Sequence, residues 1–308
     1  MAGLMRQGGI AHMIRSKGVF SGASIIKLLF YLRRVYRRPP MADMIHVNWL
    51  QNALPLYGTT VPAIISVLGS DFALLRLPGM KSALRKVIRR RRCAIAPNGD
   101  WMVPALKDLF GDIAFVQAVP FGVDNLWFDT NREYTGSGRH KWVVVSRVTE
   151  EKIGPLFEWG EGIFDDCHEL HLIGPIQEEG IEIPEWVHYH GPVSLETLRR
   201  TWFPRAAGLI TLSRHSEGRP QVMIEAMAAG LPVIASNIQA HLDFVQPEKT
   251  GLVVSSREEF KNAISSLSNR ERNLEMGYSA RNYVVNKLGT WDDCAERYIT
   301  LYQKVLKG

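Results

Sequence analysis

An α/β fold of two parallel-sheet lobes facing a cleft is what the sequence predicts, and three observations predict it. Short apolar runs alternate with helical stretches along most of the chain, the order that builds parallel sheets with helices on both faces. Several runs read as continuous Val/Ile/Leu rather than as alternating positions, which suits strands covered on both sides. A polar stretch at Phe128–Lys141, holding Gly136-Ser137-Gly138, then separates two series of strands, and the sign of the charge flips there.

The expected strands, in order, are Met44–Val47, Ala63–Val67, Cys93–Ala96 and Phe115–Val119, then Trp142–Ser146, Leu170–Ile173, Val187–His190, Gly208–Leu212, Pro232–Ala235 and Leu252–Val254. Late in the chain the helix signals are strong. Ser256-x-x-Glu259 reads as a capping box ahead of Phe260, Ile264 and Leu267. Thr290-x-x-Asp293 opens a last helix with Cys294, Tyr298, Leu301, Tyr302 and Val305 on one stripe.

The composition is that of a folded chain: 308 residues, 46% apolar and 22% charged, which excludes disordered, collagen-like and coiled-coil classes. Three widely spaced cysteines, Cys93, Cys167 and Cys294, exclude a disulfide framework and point to a reducing compartment. The longest apolar stretch, Val19–Leu32, is interrupted by Lys27. It falls short of the roughly 18 residues of a membrane span and lacks a cleavage site.

The net charge of +6 hides an asymmetry. Residues 1–141 hold 20 Lys and Arg against 8 Asp and Glu, which is +12; the remainder holds 17 against 23, which is −6. Arg33-Arg34-x-x-Arg37-Arg38 and Arg89–Arg92 fall in the basic half, each ending an expected helix, where cations suit the dipole. With Ile25, Ile26, Leu28, Leu29, Phe30 and Tyr31 as an apolar face, the first run reads as adhesive to anionic lipid; a solvated helix end is the plain alternative. No nucleic-acid motif accompanies the arginines, so nucleic acid is not an expected partner. His168-x-x-His171 and His188-x-His190 lack ligand-spaced Cys or carboxylate, and no metal is expected.

The chemistry concentrates in Leu212–Ser236, which reads as strand, glycine-bearing loop, helix, glycine stop, strand. Pro220 suits a first helical turn, and Gly230 with Pro232 just beyond suits the stop. Ala226, Ala228 and Ala229 allow close packing on a sheet. The loop ahead of the helix would present free backbone N–H groups and a positive dipole end, a ready anion site, with Gly218 permitting close approach. Glu217 sits at its mouth and Glu225 two turns along. A carboxylate beside an anion site is useful where it accepts hydrogen bonds from hydroxyls. The same spacing also fits a buried helix with two incidental glutamates.

This Glu217-x7-Glu225 stretch, followed by Ala226-Met227-Ala228-x-Gly230-x-Pro232-Val233-Ile234-Ala235-Ser236, resembles the signature of family 4 glycosyltransferases of the GT-B fold. Further matches run in the family's order. They are Asp43-Met44-Ile45-His46-Val47, Gly69-Ser70-Asp71, Pro120-Phe121-Gly122-Val123-Asp124 with Phe128, Ser146-Arg147 then Lys152, Leu172-Ile173-Gly174, and Thr250-Gly251-Leu252-Val253. The resemblance implies two Rossmann-like lobes: an acceptor-side lobe over 1–134, a nucleotide-sugar lobe over 135–290, and a helix over 291–308 that packs back toward the first. It implies a retaining transferase of the hexosyltransferase type, moving a sugar from a UDP- or GDP-sugar to a glycan or lipid-linked acceptor in polysaccharide or lipopolysaccharide-type biosynthesis. No cofactor or metal is expected, and the location implied is cytoplasmic or peripheral on the inner face of the plasma membrane.

By the same resemblance Arg147 and Lys152 would hold the diphosphate, and Glu217 would contact the donor sugar. Gly218, Arg219, Ser213 and Gly174 would line the donor site, Glu225 would bind the ribose, and His46, Gly69 and Asp71 would lie on the sugar or acceptor side. Positioned cations suit a leaving nucleoside diphosphate because negative charge develops on it. Three features depart from the pattern. Leu68 replaces a histidine before Gly69-Ser70-Asp71, with His46 as a candidate substitute. The first lobe is short, with Gln7-Gly8-Gly9-Ile10 as a candidate remnant of the acceptor loop. Arg219-Pro220 and Gln239-Ala240-His241 replace the family's Phe-Gly and Gly-Gly. A non-catalytic binding or scaffold protein and a nucleotide-sugar epimerase are the competing readings.

Overall fold

The computed structural model describes residues 18–38, 42–215 and 217–307; Gln7–Ile10 lies outside them. Chain contacts divide the molecule into two compact units. The first takes the described residues through Pro97, Met102–Ala118 and the chain from Ile299 on; the second takes Asn98–Trp101 and Val119–Tyr298.

The first unit is built on a four-stranded sheet, β1 (Ile45–Asn48), β2 (Ala63–Val67), β3 (Cys93–Pro97) and β4 (Phe115–Val116), side by side in chain order and all parallel. Every residue of β2 and β3 is buried, as continuous apolar runs require, while β1 at the edge is mixed. Three helices accompany the sheet. α1 (Gly18–Val35) precedes the sheet, and α2 (Met80–Ile88) buries Leu84, Val87 and Ile88. α3 (Val103–Phe110) follows β3, starts with a proline in its first turn and buries Leu106 and Phe110.

The second unit holds a six-stranded parallel sheet made of β5 (His140–Val145), β6 (His168–Ile173), β7 (Val187–Tyr189), β8 (Gly208–Thr211), β9 (Val233–Ser236) and β10 (Gly251–Val254). The spatial order is β10-β9-β8-β5-β6-β7. The chain runs outward from β5 to β7, then returns to the far side of β5 as β8. That reversal opens a crevice beyond the carboxyl ends of β5 and β8, where open parallel sheets bind ligands. One core packs α7 (Gln221–Ala228) with Val143, Leu209, Val233, Phe203 and Phe244; the other packs Trp142, Val144, Leu170, Ile210 and Ile234 with Phe260, Ile264 and Leu267.

Ten strands were expected and ten form among the described residues, within two residues at most ends. The division between the units falls at 118/119. Residues 119–134 are polar in places yet anchor on the second sheet: Val123 and Trp127 join its core, and Arg132 donates to the carbonyls of Ala206 and Gly230. The last helix, α11 (Trp291–Lys307), is closed at its start by the expected box, Thr290 N donating to Asp293 Oδ2 (2.7 Å) and Asp293 N to Thr290 Oγ1 (3.3 Å). It begins in the second unit and ends in the first.

The basic runs acquire a geometry no spacing predicts. Arg33 and Arg37 donate to the Tyr57 carbonyl (3.0 and 2.9 Å), while Lys86 and Arg90 each sit 5.3 Å above the Tyr57 ring. Ile26, Phe30, Tyr31 and Val35 are exposed alongside. Arg91, counted from the sequence as a surface cation, is buried. It donates to the carbonyls of Val87, Leu56, Thr59 and Val61 and to Thr59 Oγ1, so its charge is spread over buried acceptors.

Candidate functional site

The crevice between β5 and β8 contains a cavity of about 210 Å³ lined by Ser146, Arg147, Lys152, Thr211, Glu217 and the Pro220–Val222 turn, among others. Each polar group is delivered by a different local device. Ser146 and Arg147 continue β5, with Ser146 N donating to the Ile173 carbonyl (2.9 Å). Arg147 is exposed at the rim and reaches Gln177 Oε1 (3.4 Å).

Lys152 closes a one-turn helix, α4 (Glu150–Ile153), whose N-cap Thr149 accepts from Lys152 N. Its Nζ lies 2.5 Å from Glu217 Oε1, with both side chains mostly buried, at 15% and 12% exposure. Glu217 stands in the loop between β8 and α7. Ser213 Oγ donates to the same Glu217 oxygen (3.1 Å) and accepts from His215 N (3.1 Å). Thus Arg147, Lys152 and Glu217, read from the sequence as a set, do line one cavity.

α7 begins at Gln221, with Pro220 as its N-cap residue in an extended conformation (φ −67°, ψ 116°). The proline therefore sits one position earlier than its expected place inside the first turn, where it ends the loop without an N–H of its own. Ala226, Ala228 and Ala229 are fully buried and Gly230 closes the helix at φ +79°, both as expected.

Glu225 is half-buried on α7 and is not among the cavity-lining residues. Burial pushes its carboxyl up to about 7, against a smaller opposing hydrogen bond from Gln221. Gln221 in turn donates to the Gly122 carbonyl (2.9 Å).

Gly174 terminates β6 at φ +142°, and a Cβ there would meet the Ser146 carbonyl at 1.8 Å. Its own N–H goes to the Gly191 carbonyl and its carbonyl accepts from Tyr189 Oη. The residue works by letting two strand ends approach, not by offering bonds to a ligand. Gly218 likewise gives its carbonyl to Trp101 Nε1 (2.9 Å).

Arg219 departs from the expected donor-contacting role. Its side chain is 1% exposed and pairs with Asp243, at 4% exposure, with Asp100 Oδ2 farther off at 3.5 Å. Asp243 also takes the backbone N–H groups of Asp100 (3.0 Å) and Trp101 (2.8 Å). A carboxylate that receives two amides and a guanidinium is a structural clasp, which draws Arg219 inward. Ser213 is also corrected: 1% exposed and turned to Glu217, it positions that carboxylate rather than facing a ligand.

The three acceptor-side residues belong to the other unit. His46 has both ring nitrogens engaged, Nδ1 at 2.6 Å from Tyr302 Oη and Nε2 at 2.7 Å from Ser66 Oγ, and burial lowers its pKa. That placement makes it a tie between β1 and α11, not a substitute for the missing histidine. Asp71 is 2% exposed and accepts from Leu50 N (2.9 Å) and Leu68 N (2.8 Å). It fastens the turns after β1 and β2. Gly69 holds φ +109° in the second of these turns.

Sequence reasoning missed several supports. Ser236 Oγ donates to the Ser213 carbonyl (2.6 Å), and His215 Nδ1 meets Glu151 Oε2 (2.6 Å). Thr149, three residues before Lys152, was legible as an N-cap; the Ser236 contact joins different strands and left no local signal.

Residues 159–270 match the family Glycosyl transferases group 1. Over 98 residues the chain is 36% identical to a probable sucrose-phosphate synthase of Thermosipho melanesiensis, covering 32% of this chain and 22% of that protein. The chain thus matches well under two thirds of its curated relatives' length. Among solved structures, a sucrose-phosphate synthase from Thermosynechococcus elongatus superposes with a TM-score of 0.72 at 17% identity, over 92% of this chain and 78% of that one. The Anabaena protein HepE, in complex with UDP and glucose, superposes with a TM-score of 0.70 at 12% identity, over 93% and 83%. Residues 159–270 thus match the glycosyl transferases group 1, and the chain has the GT-B fold, with two parallel-sheet lobes and a switch-point cavity carrying two cations and a carboxylate.

Proposed function

We propose that the chain moves a sugar from a nucleotide-sugar donor, a UDP- or GDP-sugar, to a glycan or lipid-linked acceptor with retention of anomeric configuration. One observation carries this reading: Arg147, Lys152 and Glu217, drawn from three separate segments, converge on one cavity at the point where the strand order reverses. Arg147 and Lys152 supply the positive charge that a departing nucleoside diphosphate needs. Glu217 is held within reach of both the cations and the start of α7, where it accepts hydrogen bonds from sugar hydroxyls. Glu225, farther along α7, serves the ribose. The chemistry needs no resident metal, because the two cations take that role.

The transferase works on the cytoplasmic side and meets its acceptor at an anionic membrane surface, through the arginines and exposed apolar residues around Tyr57. Among the described residues no helix is long and apolar enough to cross a membrane.

A thermal-shift panel of UDP-, GDP-, ADP- and CMP-sugars identifies the donor, since a ligand bound by the native state raises apparent stability by mass action. Product analysis with that donor follows. A new glycosidic bond with retained configuration supports the proposal. An epimerised sugar nucleotide supports epimerase chemistry on the same fold. Binding without turnover supports a sugar-nucleotide-binding protein, a reading that Leu68 in place of the family's histidine favours.

A further inference from the structure

Behind the cavity lies a buried histidine that the family signature does not account for. His241, on the short helix α8 (Gln239–Leu242), is 0% exposed. Its Nδ1 lies 2.9 Å from the Ser236 carbonyl and 3.2 Å from Ser236 Oγ. A carbonyl only accepts, so Nδ1 carries the proton and Nε2 is a bare lone pair. Nε2 is buried and has no partner among the described residues.

That tautomer sets the direction of a chain of bonds. With Nδ1–H directed at Ser236, the Ser236 hydroxyl donates onward to the Ser213 carbonyl (2.6 Å). Ser213 Oγ then donates to Glu217 Oε1 (3.1 Å), the oxygen that Lys152 Nζ also contacts. The opposite tautomer would set two lone pairs against each other at 2.9 Å and draw the Ser236 proton away from Ser213. Ser213 and Ser236 are 1% and 9% exposed, so water does not substitute for these links.

We infer that His241 is a positioning residue for Glu217, acting through Ser236 and Ser213. The inference rests on the transferase reading only for the role given to Glu217. The charged groups that face His241 are Glu217 and Lys152, and burial keeps the ring neutral. Without the Nδ1–H bond the Ser236 hydroxyl turns from the Ser213 carbonyl, and the Ser213 hydroxyl that holds Glu217 loses its anchor.

The test reads the full chain without turnover. In ¹⁵N-histidine spectra His241 shows the Nδ1-protonated tautomer. At neutral pH the ¹³C-carboxyl resonance of Glu217 moves from its wild-type position in His241→Ala and keeps that position in His241→Asn, whose amide N–H reaches the Ser236 carbonyl as Nδ1 does. Should His241→Ala not fold, Ser236→Ala breaks the same chain and gives the same displacement.

An Nε2-protonated ring overturns the inference. So does a Glu217 carboxyl resonance at one position in wild type, His241→Ala and Ser236→Ala while melting temperatures fall, since that pattern is packing alone. Because none of these readouts needs a donor or an acceptor, their outcome is separate from whether the chain transfers sugar.

Discussion

Lys152 Nζ and Glu217 Oε1 are 2.5 Å apart, although 65 residues separate them in the chain. The contact neutralises the more enclosed of the cavity's two cations while it holds the carboxylate still. On the proposed function, a diphosphate entering the cavity would compete with Glu217 for Lys152, and the exchange would release Glu217 oxygens toward the sugar. Removing either partner strands the other charge in a largely buried place. Lys152→Ala is expected to lower kcat by about 10²–10³, the cost of removing one donor to developing negative charge. Glu217→Ala lowers kcat and raises donor KM together. Steady-state kinetics with the donor found by thermal shift separates the two, and full activity in both variants removes the assigned roles.

Glu225 makes donor affinity and stability depend oppositely on pH. Its carboxyl titrates near 7 in the folded chain, above the 4.5 of an exposed glutamate, so the folded state holds the extra proton between those values. The stability this contributes is full below about 4.5 and is lost as pH rises through 7. On the proposed role of Glu225 at the ribose, donor binding uses the ionised carboxylate and is expected to improve over the same rise. Glu225→Gln is expected to gain about 2 kcal/mol of stability at pH 8 relative to wild type and to raise donor KM. Denaturant melts at pH 5 and pH 8, beside donor titrations, measure both slopes.

The imidazole stack at the edge of the second sheet is an acid-sensitive seam. His171 Nδ1 lies 3.0 Å from His190 Nε2, its ring stacks on His188 at 4.9 Å, and Trp202 covers His171 and His190. Burial lowers the His171 pKa to about 4, with Glu169 opposing. The unfolded chain takes protons first as pH falls below 6.5, so stability is present above that value and is lost on the way down to about 4. His171→Leu is expected to flatten the fall in melting temperature between pH 7 and pH 5. An unchanged slope argues against the histidine as its source.

Arg219 and Asp243 form a buried pair whose loss costs more than its replacement. Asp243→Ala leaves a guanidinium at 1% exposure without its carboxylate, and is expected to cost about 3–5 kcal/mol. Arg219→Met with Asp243→Leu removes both charges and restores most of that stability. The two melting temperatures decide the point, and equal loss in both means that Asp243 matters chiefly for the Asp100 and Trp101 amides.

Around Tyr57, four cations from two distant runs share one small area of the first unit. Co-sedimentation with vesicles containing phosphatidylserine is expected to be strong at low salt and to weaken as salt rises. Replacing Arg33, Arg34, Arg37 and Arg38 by Gln weakens binding by about 100-fold or more, at roughly 1 kcal/mol per cation near the surface. Equal binding by wild type and the fourfold variant removes this surface from the proposal.

The periodicities of the chain were enough to locate ten strands, the capped helices α9 (Arg257–Ser268) and α11, and the Gly230 stop. Each depends on neighbours in sequence, where backbone hydrogen bonding and side-chain alternation leave a local pattern. The signature glutamates and the two cations were legible as residue types for the same reason. Where they point was not. Arg147, Lys152 and Glu217 turn to one cavity, while Arg219, adjacent in spacing and equal in charge to any phosphate binder, turns inward to Asp243. Asp71 and His46 likewise satisfy buried backbone and side-chain partners rather than a ligand.

Sequence by itself therefore determined the α/β order and the parallel sheets, and named a candidate catalytic set. Tertiary structure alone decided which charges face the cavity, that Glu225 sits half-buried, that Tyr57 gathers the basic runs, and that His241 stands behind Glu217. The physical reason is that a charge's role follows from its partners and its burial. Both are set by strand neighbours tens of residues away, through the β5–β8 reversal that no local pattern encodes.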